Sequence, residues 1–287
     1  MTYPQNFQTV GIYGIGLLGG SVGLALKARY PSVHVVGMGR SPERLEKARQ
    51  FGALDSFTTE PQSLPAMLDL LIVCTPVCVL PSHVTHALPA VKPDGVITDV
   101  GSTKAIVVEQ CEAICGNAYR FVGSHPMAGS HKTGIEAAAA DLYQDKICVV
   151  TETILSEPEA VDQVEVFWQA LGMQVVRLNP VQHDRLVARS SHLPHMVAAA
   201  LCHAVKDMGP AIFPVLGDGF RDTTRIAAGD SGMWTDICTD NRDEILASLD
   251  ELSRIVEELK KKVQNGDRDG IHEFLRQAQE WKTQQTK

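Results

Sequence analysis

Over its first 180 residues the chain alternates short, predominantly apolar runs with longer stretches whose apolar positions recur at helical spacing. The short runs fall at residues 9–13, 34–38, 70–74, 96–100, 121–123, 147–150 and 173–177. Runs this short and this apolar read as strands buried on both faces, and the stretches between them as crossover helices. They predict βαβ units with right-handed connections and a mostly parallel, Rossmann-type sheet. After Asn179-Pro180 the strands stop and long helical patterns take over, as at 198–201 and 244–252. The expected fold class is therefore α/β, with a mostly parallel sheet domain over residues 1–180 followed by an all-helical domain over 181–287. Two late helices, through 255–259 and 271–275, carry apolar stripes that need another surface. A second copy of the chain is the simpler source of that cover, so a homodimer formed through the helical domain is expected ahead of packing within one chain.

Between the first strand and the helix after it stands Gly14-Ile15-Gly16-Leu17-Leu18-Gly19, three glycines at G-x-G-x-x-G spacing. Gly14 permits the tight turn, Gly16 lets the backbone approach a pyrophosphate, and Gly19 lets the helix pack on its strand. The first helical amides, at Leu17 and Leu18, then face the phosphates, where the macrodipole favours negative charge. This is the pattern of a dinucleotide-binding turn. The second strand of such a unit usually ends in a carboxylate for the ribose 2′-hydroxyl. Here the chain reads Gly39-Arg40-Ser41-Pro42-Glu43 instead. A guanidinium can pair with a 2′-phosphate and no acid at Gly39 repels it, so Arg40 and Ser41 point to NADP ahead of NAD. The competing use is local, with Arg40 solvated and Ser41 capping the next helix ahead of Pro42.

Composition narrows the class of protein. Hydrophobic residues make up 44% and charged residues 21% of 287 positions, ordinary for a soluble two-domain enzyme. Acids outnumber bases 34 to 26, for a net charge of −8 without a basic cluster, so no nucleic-acid partner is expected. Seven cysteines without a C-x-x-C pair read as reduced, buried thiols. The first strand starts too early to leave room for a secretory signal, and no apolar run reaches spanning length. The expectation is a cytoplasmic protein without a membrane partner. The ten histidines are not grouped with carboxylates at ligand spacing, so no metal is expected.

Chemistry in an open α/β sheet belongs at the carboxyl ends of its strands. Thr75-Pro76, leaving the third strand, reads equally as a tight exit lying along the cofactor or as a plain proline turn. Asp99-Val100-Gly101-Ser102-Thr103-Lys104 brings a hydroxyl and an amine to the end of the next strand. Gly123-Ser124-His125-Pro126-Met127-Ala128-Gly129-Ser130 places a histidine at a strand end before a proline. His125 is accordingly a candidate acid or base.

With these segments stand Ser191-His192-Leu193-Pro194-His195, Gly219-Phe220-Arg221-Asp222-Thr223-Thr224-Arg225-Ile226-Ala227 and Met233-Trp234-Thr235-Asp236-Ile237. In this order the motifs resemble, from end to end, those of the prephenate and arogenate dehydrogenases, also called cyclohexadienyl dehydrogenases. The resemblance implies a dinucleotide-binding domain, a helical dimerisation domain, and oxidative decarboxylation of prephenate or arogenate with hydride transfer to the nicotinamide, in tyrosine biosynthesis. It implies that His125 is the catalytic histidine and that Ser102 orients it or the substrate hydroxyl. Arg225 would hold a substrate carboxylate and His195 would reach the substrate from the helical domain. If His125 is the base, activity should fall as a group with a pKa near that of histidine is protonated. His192 reads as a core or helix-start residue and Trp234 as packing near the site. Lys104 would reach the cofactor or cap a helix, and Arg221 would pair with Asp222 or Asp218.

One segment departs from the pattern. Some relatives carry an acid where this chain has His131, in Ser130-His131-Lys132. With Ser130 and His131 at the substrate side chain, the missing carboxylate leaves nothing to attract the ammonium of arogenate, which tilts the expectation to prephenate. No separate sensor domain is expected after the last helix, so tyrosine would inhibit by competition. Rival readings are a β-hydroxyacid dehydrogenase or imine reductase of similar architecture, or a non-catalytic NADP sensor.

Overall fold

In the computed structural model, which describes Pro4 and residues 6–117, 120–129 and 133–284, the chain forms two compact units, Met1–Asn241 and Arg242–Lys287. The first begins with β1 (Thr9–Tyr13), α1 (Leu17–Arg29), β2 (His34–Met38), α2 (Pro42–Gln50) and β3 (Ser56–Thr58). It continues with β4 (Leu68–Val73), α3 (Leu80–Ala87), β5 (Val91–Asp99), α4 (Ala105–Cys115) and β6 (Arg120–Val122). Then come β7 (Ser124–Pro126), β8 (Ile147–Thr151), α5 (Pro158–Ala170) and β9 (Gln174–Leu178). The helices α6 (Pro180–Val187), α7 (Leu193–Lys206), α8 (Asp218–Thr224) and α9 (Ser231–Asp240) complete the unit.

Six parallel strands form the main sheet in the order β3-β2-β1-β4-β5-β6. Strand order reverses at β1, which pairs with β2 on one side and β4 on the other, and ligands bind beyond the carboxyl ends at such a switch point. Both faces are covered. One core joins Ile12, Val22 and Leu26 to Phe167 and Trp168 of α5; the other joins Val36 and Leu71 to Leu80 and Val84 of α3 and Val107 of α4. That burial is why the strands read as unbroken apolar runs.

Two strands carry no apolar period and emerge only from pairing. β3 is short and half-buried against β2. Ser124-His125-Pro126 forms β7, antiparallel to β8, with His125 opposite Val149. The alternation implies one sheet, yet the chain leaves the main sheet at Gly123 and starts a second, β7-β8-β9, so that His125 sits within a strand and not at the end of one. β5 starts at Val91, well before its apolar run, and its register with β4 slips between Leu68 and Leu70.

Between α6 and α7 the helix widens into a π turn, Ala188–His192, in which Leu193 N–H reaches back to Ala188 O. Pro194 has no N–H to donate, and its ring crowds the preceding turn. A π bulge relieves that conflict and rotates the residues around it, here His192 and His195.

The second unit is a helix pair, α10 (Arg242–Gln264) and α11 (Arg268–Gln284). Arg254 pairs with Glu251 and Glu258, and Arg276 with Glu273 and Glu280, one helical turn away on each side. Leu246, Val256, Val263, Leu275 and Trp281 are exposed on these helices. Among the described residues no single helix is long and apolar enough to cross a membrane.

Candidate active site

The glycine turn has the shape its spacing requires. Gly14 has φ +97°, and a Cβ there would lie 2.8 Å from both Cys74 O and Thr75 Cγ2. A Cβ on Gly19 would meet Gly14 O at 2.1 Å, so helix and turn touch where only glycine fits. Above Gly16 there is nothing within 4 Å. Gly16 is also the N-cap of α1, and no side chain caps that helix. The open space and the uncapped amides of Leu17 and Leu18 make a cradle that fits a pyrophosphate. Tyr143, fully buried, fixes its floor by donating to Leu18 O at 2.8 Å.

Beyond β2, Gly39 and the exposed Arg40 occupy the carboxyl end of the strand. Ser41 caps α2, accepting from Arg44 N at 3.2 Å and donating to Glu43 at 2.7 Å. Its hydroxyl is thus engaged within its own helix start, whereas Arg40 extends into solvent. Thr75 borders Gly14 from the β4 side.

At the far side of the switch point lies a web of buried polar groups around His125. Asp99, at the end of β5, accepts from Gly101 N at 2.7 Å and Ser124 N at 3.0 Å and pairs with the ammonium of Lys104. Both members of the pair are fully buried. Lys104 therefore neither reaches outward to a cofactor nor caps a helix with its side chain. It balances Asp99, and the pair ties the Ser102 turn to the strand carrying His125. Ser124 is held further by Trp168 Nε1 at 3.0 Å and by Thr98 Oγ1 at 2.5 Å.

His125 itself bonds to His183: the two rings meet through Nδ1 of His125 and Nε2 of His183 at 2.8 Å. His183 Nδ1 lies 2.7 Å from Asp184 Oδ1. Asp184 also accepts from Lys104 N and Ala105 N, each at 2.8 Å, so it caps α4 from α6. A carboxylate can only accept, so His183 Nδ1 must donate, and its Nε2 keeps a lone pair. That lone pair takes the Nδ1 proton of His125 and leaves His125 Nε2 as an acceptor, the form a base needs. Burial, the neighbouring His183 and the Lys104 ammonium hold His125 well below the usual histidine range. His183 is lowered as well, mainly by burial, and His192 is pushed down to about 4 by burial. The free protein thus keeps these rings neutral below the pH at which an ordinary histidine charges, which corrects the expectation of a titration near the usual value.

Ser102, half-buried, makes no hydrogen bond to His125; orientation of the ring falls to His183. The helical segment reaches the same web from the other side. Asn241 Nδ2 donates to Asp184 O at 2.8 Å and lies 3.2 Å from His192 Nδ1. His192 is buried and edges Trp234, which stacks on His195 with centroids 3.6 Å apart and planes at 12°. A Cβ on Gly229 would lie 2.6 Å from Trp234 Nε1 and 3.1 Å from His195 Cε1, so the turn Arg225–Ala228 runs against this stack. Arg225 is exposed there, with no carboxylate partner among the described residues. Arg221 donates to Leu216 O at 3.1 Å and serves the backbone, not Asp222 or Asp218. α9 is tied back to the sheet unit by Thr103 to Asp240 and Cys78 to Asp236, both at 3.1 Å. All seven cysteines are free; Cys111, Cys115 and Cys148 are buried, but Cys78 is exposed. Ser130 and His131 lie outside the described residues. Among the described residues no cluster of three His, Cys, Asp or Glu is set to hold a metal.

Sequence reading passed over His183, Asp184 and Asn241. The only local hint is a histidine–aspartate pair just inside α6, behind the capping box of Asn179 and Gln182.

Known proteins resemble the chain along nearly its whole length. Residues 22–177 match the family described as prephenate dehydrogenase, nucleotide-binding domain, and residues 179–277 its dimerization domain. The prephenate dehydrogenase of Bacillus subtilis is 32% identical over 97% of this chain and 76% of its own length. The cyclohexadienyl dehydrogenase of Zymomonas mobilis is 30% identical over 95% of this chain and 94% of its own. The crystal structure of Aquifex aeolicus prephenate dehydrogenase with hydroxyphenyl propionate and NAD+ superposes with a TM-score of 0.90, at 29% identity, over 96% of this chain and 98% of that one. With the glycine turn, the histidine relay and both domains in place, the chain belongs to the prephenate dehydrogenase family.

Proposed function

We infer that this chain oxidises and decarboxylates prephenate with hydride transfer to NADP, on the route to tyrosine, using His125 as general base. The observation that carries the reading is the His125–His183–Asp184 relay, whose bonding leaves a neutral imidazole with its Nε2 lone pair available.

In this reading Gly14, Gly16, Leu17, Leu18 and Gly19 hold the pyrophosphate, Thr75 and Pro76 flank it, and Arg40 meets the adenosine ribose while Ser41 caps α2 beside it. The bound nicotinamide supplies the hydride acceptor. His125 Nε2 takes the proton of the C4 hydroxyl as that carbon loses its hydride, Ser102 orients the hydroxyl, and the C1 carboxylate leaves as carbon dioxide while the ring becomes aromatic. A positioned base of this kind is worth ~10²–10⁴ in rate. Arg225 pairs with a substrate carboxylate, which its planar fork can grip bidentately. His195, fixed by its stack on Trp234, contacts the substrate from α7. NADP is favoured because Arg40, and no acid, stands beyond β2. The helical domain, residues 181–287, pairs two copies through the exposed stripes of α10 and α11, and the enzyme works in the cytoplasm.

Incubation of the purified chain with each pairing of prephenate or arogenate and NADP or NAD, followed by the appearance of reduced nicotinamide, tests this directly. Prephenate with NADP should give the highest kcat/KM. Faster turnover of arogenate would overturn the assignment from His131, and equal use of NAD would overturn that from Arg40. Binding of NADP without turnover of either substrate would favour a sensor.

A further inference from the structure

At the strand ends where an adenosine ribose sits in such a fold stands a second basic side chain that no motif marks. His83, on α3, is half-buried, and its Nδ1 lies 2.9 Å from Thr75 Oγ1. Its ring stacks on Tyr13, the last residue of β1, with centroids 4.4 Å apart and planes at 27°. Thr75 touches the Gly14 turn, and Arg40, just past β2, is near enough for its charge to act on both Tyr13 and His83. His83, Tyr13, Thr75 and Arg40 thus gather at the carboxyl ends of β1, β2 and β4, where an adenosine ribose sits in such a fold. A lone histidine on a helix is more often packing than ligand. Here, however, the ring is braced on two sides at a strand-end cleft and shares it with an exposed cation.

We propose that His83 is a specificity-determining residue that, with Arg40, recognises the 2′-phosphate of the cofactor. This rests on the reading that NADP is the preferred cofactor. With the Thr75 hydroxyl donating to Nδ1, His83 Nε2 carries the ring's proton and can donate to a phosphate oxygen. In the free protein burial, His86 on the same helix and the Arg40 cation all lower the pKa of His83, so the ring is neutral near pH 7. The groups facing it are Tyr13 from β1, Arg40 from the β2 end and His86. Tyr13 is raised above its ordinary value by burial and stays neutral as well. A 2′-phosphate adds about 1.5 to 2 negative charges beside the ring and favours its protonated form. Affinity for the phosphorylated ribose should then rise as pH falls from 8 towards 6.5, while affinity for the plain ribose stays flat.

The test is calorimetric titration of the intact chain with adenosine 2′,5′-bisphosphate and with 5′-AMP, which differ only in the 2′-phosphate. His83→Gln should weaken the bisphosphate by about tenfold or more, the worth of a hydrogen bond to a charged group, and leave 5′-AMP within twofold. His83→Lys, a permanent cation, should keep the preference and lose the pH dependence. Equal weakening of both ligands by His83→Gln would make the ring a shelf for adenosine and overturn the proposal. Loss of preference in Arg40→Ala but not in His83→Gln would overturn it while sparing the NADP reading. No preference for the bisphosphate in the unmodified chain would overturn both.

Discussion

The glycine turn and the histidine relay are built in opposite ways. The turn is made of consecutive residues, and its chemistry is that of the backbone: a positive φ at Gly14, contact at Gly19, and amides left uncapped at the start of α1. The relay gathers His125 from β7, His183 and Asp184 from α6, and the Lys104–Asp99 pair from the end of β5, residues far apart in the chain. At Gly14 and Gly19 the turn is damaged by adding atoms. The relay can be damaged by altering any one of several distant groups, because Asp184 sets the proton position of His183 and His183 that of His125. Binding of the cofactor and handling of the substrate proton should therefore respond separately to mutation.

The largest separation is expected from His125→Asn, which cannot accept the proton. The turnover number should fall by roughly 10²-fold or more while NADP affinity, read by titration, is unchanged. Retained turnover would make His125 structural and pass the base to His195. Arg225→Gln should act on KM instead, raising it roughly 10–100-fold, the range for a lost hydrogen bond to a charged group. An unchanged KM would remove Arg225 from the substrate. Asp184→Asn relaxes the tautomer constraint on His183 and should lower kcat by about tenfold to a hundredfold, as for other partners that orient a functional histidine. The same variant should also change the pH profile of kcat, which a purely structural loss at the α4 cap would not do. On the other side of the comparison, Gly19→Ala forces a Cβ against Gly14 O and should weaken NADP by roughly tenfold, from overpacking of about 1–3 kcal/mol. The proton-handling limb of the pH profile should stay where it was.

The smallest effect is on stability. His125, His183 and His192 have folded pKa values below the ~6.5 of an unfolded imidazole. Above that pH the two states bind equal protons at these sites. As pH falls below it the unfolded chain takes up protons that the folded chain refuses, so stability is lost progressively, down to about pH 4 for His192. Urea midpoints measured from pH 8 to 4.5 should fall mainly below 6.5, and the fall should be shallower in His192→Asn. The acid limb of kcat/KM, which reports the free enzyme, should lie below the usual histidine range.

What the sequence by itself determined is whatever depends on neighbours in the chain. Apolar runs buried on both faces gave away β1 and β2 to the residue, because a parallel strand between two helical layers has no polar side to interrupt it. The glycine turn was legible for the same reason, since its function resides in local backbone shape. His125 and Ser102 could be named because they follow apolar runs, and such sheets do their chemistry beyond those runs, although His125 proved to lie within β7. Tertiary structure alone decided the rest. β7 has a histidine and a proline in three residues and becomes a strand only by pairing with β8. Lys104 was expected to reach the cofactor or cap a helix, yet burial beside Asp99 made it an internal counter-charge. His183 and Asp184 carry no motif; their role comes from α6 docking on the start of α4, which brings a carboxylate to two backbone amides and a second ring to His125. A hydrogen bond a few ångströms long can join residues any distance apart in the chain, so the residue that sets the proton position on His125 is decided by packing.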